Sequence, residues 1–221
     1  MQLENKKVFF IGDSITEGEG TSSPEHCYVS VFERLSKSCV KNYGVNGMRI
    51  AKQKLTDNDE NVVQNFVSKV DEMDNDADAV VVFGGTNDFR HNAAIGSMES
   101  RSEYTFYGAM HVLSDKLIRK YPKAEIVFIT PLHRVGEDET RQECGENREV
   151  RLSDYVNIIR EVAEYYSFPV IDLFKMGGLQ PNNEKKCIID CSCGNFGSVI
   201  SRLRRKQRRK RQTELENRLM A

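Results

Sequence analysis

Five short apolar runs recur along the chain, and each is separated from the next by a longer stretch with helical periodicity. That alternation limits the possible folds more than any other feature. The runs occupy residues 8–11, 40–45, 79–83, 125–130 and 169–174. Residues 79–83, Ala-Val-Val-Val-Phe, are apolar at every position. A strand with one face in water alternates, so an unbroken run belongs to a strand covered on both faces, as in a parallel sheet. Between the runs, Leu152, Tyr155, Val156, Ile159, Val162, Ala163 and Tyr166 fall at helical spacing. Phe106, Met110, Leu113, Leu117 and Tyr121 form a second such stripe, and Tyr28, Phe32 and Leu35 a shorter one. Strands and helices in this order require right-handed crossovers and predict an α/β protein, a three-layer sandwich around a parallel sheet of five strands. Residues 57–60 and 136–147 are polar and are expected to be loops. No internal repeat is present.

With 221 residues the chain suits one domain with a full core. It is expected to span residues 1–198, with a basic tail at 199–221. The tail carries nine Lys/Arg and two Glu, a net +7, within a chain whose total is −1, so the body carries −8. The N-terminal apolar run is too short for a signal-peptide core or a membrane span, which predicts a cytoplasmic protein. The six cysteines, Cys27, Cys39, Cys144, Cys187, Cys191 and Cys193, are then expected to remain thiols.

In open parallel sheets, ligands bind beyond the carboxyl ends of the strands. Three of these ends carry unusual residues: Gly12-Asp13-Ser14, Asn46-Gly47 and Gly84-Gly85-Thr86-Asn87-Asp88. A serine hydroxyl is a weak nucleophile unless a base takes its proton and donors hold the oxyanion that forms. A lone serine at a strand end would most simply cap a turn. Gly47, which lets a backbone N–H approach a ligand closely, and the amide of Asn87 are expected to converge with Ser14 on one rim and make an oxyanion hole.

Ile11-Gly12-Asp13-Ser14-Ile15-Thr16 resembles the first block of the SGNH (GDSL-type) hydrolases. Asn42-Tyr43-Gly44-Val45-Asn46-Gly47 resembles the second, and Gly84-Gly85-Thr86-Asn87-Asp88 the third. The order and spacing match over about residues 5 to 190. The resemblance implies a flavodoxin-like sheet, no metal, no cofactor, and hydrolysis of a small acyl ester of a carbohydrate or lipid. It assigns Ser14 as nucleophile and the N–H groups of Ser14 and Gly47, with the Asn87 amide, as the oxyanion hole. Phe89, Ile95 and Met98 could line an acyl pocket or pack a loop onto the body.

The family's last catalytic block is Asp-x-x-His, whose histidine is the general base and whose aspartate orients it, as in the serine triad. Here the corresponding stretch is Ile189-Asp190-Cys191-Ser192-Cys193, so Asp190 matches the aspartate and Cys193 stands in place of the histidine. A thiol cannot bridge a serine and a carboxylate as two imidazole nitrogens do. An impaired esterase is therefore expected, with an inactive ligand-binding module of the same fold as the alternative. His133 and His91 lie on loops beyond strand ends and are the candidates for a substitute base; His26 and His111 read as ordinary helix residues. Cys187, Cys191 and Cys193 lack the second ligand pair of a structural zinc site. The basic tail reads as a nucleic-acid or anionic-surface patch or as a solvated helix extension, and the acidic body argues against nucleic acid. A reading-frame shift near codons 187–198 is a further reading, accounting at once for the missing histidine and the change of composition.

Overall fold

The computed structural model describes residues 3–53, 64–142 and 149–179. Its elements run in the order β1 (Lys7–Gly12), α1 (Ser14–Glu17), a 3₁₀ turn (Pro24–His26), α2 (Tyr28–Ser36), β2 (Cys39–Gly44), α3 (Phe66–Glu72), β3 (Ala79–Phe83) and α4 (Thr86–Arg90). There follow α5 (Phe106–Lys120), β4 (Glu125–Ile129), β5 (Arg141–Gln142), β6 (Glu149–Val150), α6 (Leu152–Tyr165), β7 (Val170–Ile171) and α7 (Leu173–Met176). The expected five-stranded parallel sheet is present, in the order β2-β1-β3-β4-β7. The stretch expected to be a loop at 136–147 instead contributes β5, which pairs antiparallel with β6.

Alternate residues of each central strand feed two separate cores, as the two-residue side-chain period requires. Phe9 and Ile11 of β1, Val80 and Val82 of β3 and Phe128 of β4 pack toward α3, α5 and α6. Val8, Phe10, Val81, Phe83 and Ile129 pack on the other face with Tyr28 and Val29 of α2. Tyr155 anchors the larger core: its ring meets Phe106 edge-on at 4.9 Å, and its hydroxyl donates to the Ala93 carbonyl at 2.6 Å. A fully buried ring of this size contributes about 2–3 kcal/mol of transfer free energy. Asn65 and Thr105 start α3 and α5, their side chains accepting from the backbone N–H groups of Ser68 and Gly108.

The register aligns the strand ends. Gly12 pairs with Gly44 on one side and Phe83 on the other, Phe83 with Ile129, and Ile129 with Ile171. These five residues form one transverse row, and everything just beyond it belongs to a single rim. Between β1 and β3 the chain reverses its direction of winding, the switch point at which open α/β sheets bind ligands. Two glycines let α1 lie close over it. A Cβ on Gly12 would sit 1.9 Å from Thr16 Oγ1, and one on Gly44 2.3 Å from the Glu17 backbone nitrogen.

Candidate active site

Ser14 begins α1, two residues past the row. Asp13 caps this short helix, its carboxylate accepting from Ile15 N–H at 3.0 Å. The chain turns out of the helix at Gly18 (φ +99°), and the N–H groups of Gly18 and Glu19 both donate to the Ser14 carbonyl at 3.0 Å. Ser14 is half-buried. As the first residue of a helix it has a backbone N–H with no intrahelical partner, and among the described residues no acceptor takes it.

Gly47 lies three residues past the row, in a turn closed by a bond from Met48 N–H to the Val45 carbonyl (3.1 Å). Its φ of +73° is in the left-handed region, which glycine occupies without steric cost. Apart from its chain neighbours, no atom lies within 4 Å of where its Cβ would stand, and among the described residues no acceptor takes its N–H. Asn87, four residues past the row and 8% exposed, donates from Nδ2 to the Met48 carbonyl at 3.2 Å. A primary amide carries two N–H donors, so this bond consumes one and leaves the other.

Side chains and backbone stitch the three loops together. Val45 N–H donates to the Gly12 carbonyl at 3.0 Å, and Asn46 Nδ2 to Glu19 Oε2 at 2.6 Å, tying the Gly47 turn to the Ser14 segment. Asp88 ties it to the Asn87 segment: its two carboxylate oxygens accept from Ile50 N–H at 3.0 Å and Ala51 N–H at 2.8 Å. Hydrogen bonds between their neighbours tie the three loops to one another. Together they carry a hydroxyl, two backbone N–H groups that no described acceptor takes and a side-chain amide, groups of the kind that hold a negatively charged oxygen.

Residues 10–190 match the GDSL-like lipase/acylhydrolase family. The chain belongs to that family. As a GDSL-type hydrolase it resembles a solved structure 28% identical to it over 90% of this chain and 96% of the other, with a TM-score of 0.74. A protein from Lactobacillus plantarum shares 22% identity over 97% and 98% of the two chains (TM-score 0.71). The aryl esterase of M. smegmatis shares the fold at 15% identity over 91% and 99% (TM-score 0.61). No curated protein matches the chain.

Two further carboxylates of this GDSL-type rim, Asp13 and Asp88, stand within the first and third blocks and are fully buried. Burial raises the Asp13 carboxyl to about 7; the Ile15 N–H pulls it down, the nearby Asp88 pushes it further up, and Arg134 lowers it. Burial likewise raises Asp88 to about 6, against the pull of the Ala51 and Ile50 N–H groups. Because the folded state holds the Asp13 proton more tightly than the unfolded chain, that contribution is complete below about pH 4 and disappears as pH rises through 7. Asp13→Asn keeps the oxygen that caps α1 and cannot ionise. Its stability relative to the parent is expected to rise by about 2–3 kcal/mol between pH 5 and pH 8, a gain of roughly 5–10 °C in Tm. Thermal unfolding of both forms at the two pH values checks this, and an equal offset at both would contradict it.

Phe89 and Ile95 belong to the core, 0% and 1% exposed, and Met98 packs against it, so the loop-packing reading holds over an acyl pocket. His91 is exposed at the end of α4, and His111 is buried in α5 against Tyr165 and Tyr166. His26 lies in the 3₁₀ turn rather than an α-helix, its Nδ1 2.6 Å from Ser22 Oγ. Asp190, Cys193, the cysteine cluster and the basic tail lie outside the described residues. Among the described residues Cys27 and Cys39 are free thiols, no group of His, Cys, Asp and Glu could hold a metal ion, and no helix is long and apolar enough to cross a membrane.

Proposed function

We propose that the chain is a serine esterase acting on a small acyl ester of a carbohydrate or lipid. Ser14 Oγ attacks the acyl carbon, and the carbonyl oxygen, now an oxyanion, is held by the N–H groups of Ser14 and Gly47 and by the Asn87 amide. The alcohol leaves, and water releases the acyl group from Ser14. The observation that carries this reading is that half-buried Ser14, at the switch point between β1 and β3, and Gly47, on a loop bonded to its segment, each carry a backbone N–H that no described acceptor takes. Membership in a family of lipases and acylhydrolases agrees with it, and so does the activity named for the mycobacterial aryl esterase.

A fluorophosphonate probe tests the assignment, because it phosphonylates only a serine whose surroundings stabilise an oxyanion. The expected result is one adduct, mapped by peptide mass to the fragment containing Ser14, with loss of short-chain aryl-ester hydrolysis in proportion to labelling. Absence of an adduct, or an adduct elsewhere, would remove Ser14 from the role.

A further inference from the structure

The esterase reading leaves the base unaccounted for, since the chain has four histidines, His26, His91, His111 and His133, and none follows residue 133. We propose that His133, oriented by Glu137, is the general base that activates Ser14 in this chain. The proposal rests on the esterase reading and names the residue that reading lacks.

The pair has the geometry of the base and orienter of a triad. His133 Nδ1 lies 2.6 Å from Glu137 Oε1, and the Glu137 side chain is only 5% exposed. The other carboxylate oxygen accepts from the Arg134 backbone N–H at 2.7 Å, so the carboxylate cannot swing away. An ionised carboxylate is an acceptor only, and it therefore takes the Nδ1 proton and leaves the lone pair on Nε2. Among the described residues nothing bonds Nε2. The Phe174 ring lies against the imidazole, its centroid 3.9 Å away, and limits rotation. His26 meets serine hydroxyls, and His111 meets the Tyr166 hydroxyl inside the layer of α5 and α6.

The position also fits. His133 lies four residues past Ile129, in the same row of strand ends as Gly12. β3 alone separates β1 from β4, so two strand spacings of about 4.8 Å set the ends ~10 Å apart. Ser14 and His133 lie two and four residues beyond these ends, on the same rim. The neighbouring Arg134 draws the segment toward β3, its Nη1 donating to Thr86 Oγ1 at 3.0 Å, one residue before Asn87. The Arg134 charge is also felt at Asp13, one residue before Ser14.

In the acylation step Nε2 takes the proton of the Ser14 hydroxyl as Oγ bonds to the acyl carbon and the carbonyl π pair moves onto oxygen. The imidazolium then gives that proton to the departing alcohol oxygen as the C–O bond breaks. In deacylation Nε2 takes a proton from the attacking water and returns it to Ser14 Oγ.

The test measures hydrolysis of p-nitrophenyl acetate and butyrate by the full chain. His133→Ala and His133→Gln are each expected to lower kcat by about 10²-fold or more, with KM little changed. Glu137→Gln keeps an acceptor for the Arg134 N–H but turns its NH2 to Nδ1 and moves the ring proton to Nε2, and is expected to lose about 10²-fold or more. Added imidazole is expected to restore part of the rate to His133→Ala and none to Ser14→Ala, which a merely structural role for His133 would not produce. His26→Ala is expected to match the parent. If both His133 variants stay within twofold of the parent while Ser14→Ala is inactive, the proposal falls and the esterase reading stands. If the parent shows no Ser14-dependent turnover of either ester, both fall.

Discussion

Ser14→Ala is expected to lower kcat for a short-chain aryl ester by at least about 10³-fold, with Tm within about 2 °C of the parent. The two halves of that result come from different parts of the structure. Catalysis is lost because the substitution removes the only nucleophile the proposed reaction uses. Stability is kept because the Ser14 side chain makes no hydrogen bond among the described residues, and α1 is capped by Asp13 instead. The residue's structural work is done by its carbonyl, which accepts from Gly18 and Glu19 and is untouched by the substitution. The size of the ratio carries information about the base as well. Members of a triad act as a unit, so removing the nucleophile costs little once the base is gone. A 10³-fold ratio therefore requires a working base in the parent chain. Steady-state kinetics beside a melting curve checks both halves.

Asn87→Ala is expected to lower kcat by about 10²–10³-fold, the loss found on removing one side-chain oxyanion donor. KM should change little, because the donor binds the oxygen most strongly when it carries full negative charge. A second, smaller effect follows from the other N–H of the same amide. Asn87 Nδ2 holds the Met48 carbonyl, and without it a buried acceptor next to the Gly47 turn loses its partner. That costs about 1–2 kcal/mol. Asp88 still holds Ile50 and Ala51 in the variant, so the loop stays tethered. Separate measurement of kcat, KM and Tm resolves the two effects. A variant that lost stability but kept kcat would make Asn87 a loop clamp only.

Much of this architecture is legible in the sequence where burial is two-sided. Residues 79–83 were expected as a strand and form β3 over the same span, because an unbroken apolar run has no other stable place. The stripe through Leu152, Tyr155 and Val162 likewise becomes α6. Legibility falls at the sheet edges. β2 carries Lys41 and Asn42 on a half-solvated strand and begins one residue earlier than its pattern suggests. β7 pairs only Val170 and Ile171, although six residues were expected. Asp172 cuts it short: its carboxylate caps α7 at Lys175 N–H, accepts from Thr130 Oγ1 and pairs with Arg160, turning the chain out of the sheet.

The site divides in the same way. The placement of Ser14, Gly47 and Asn87 just past strand ends is legible in the sequence, because parallel strands deliver their carboxyl ends to one rim. The clamp of Asp88 on Ile50 and Ala51 could not, since it joins residues 37 and 38 positions apart. Nor could the fate of Phe89 and Ile95, because an apolar residue after a rim motif fits a pocket and a core equally well. Whether it faces α6 is decided only when Tyr155 arrives. The pairing of His133 with Glu137 is not legible either, because a stretch without helical periodicity predicts no contact four residues apart. The buried carboxylate supplies it.

The most direct measurement is a crystal structure of the chain phosphonylated by a short-chain probe. The phosphoryl oxygen should lie about 2.7–3.1 Å from the backbone nitrogens of Ser14 and Gly47 and from Asn87 Nδ2, with phosphorus bonded to Ser14 Oγ. A phosphoryl oxygen turned to solvent, out of hydrogen-bond reach of Gly47 and Asn87, would contradict the account.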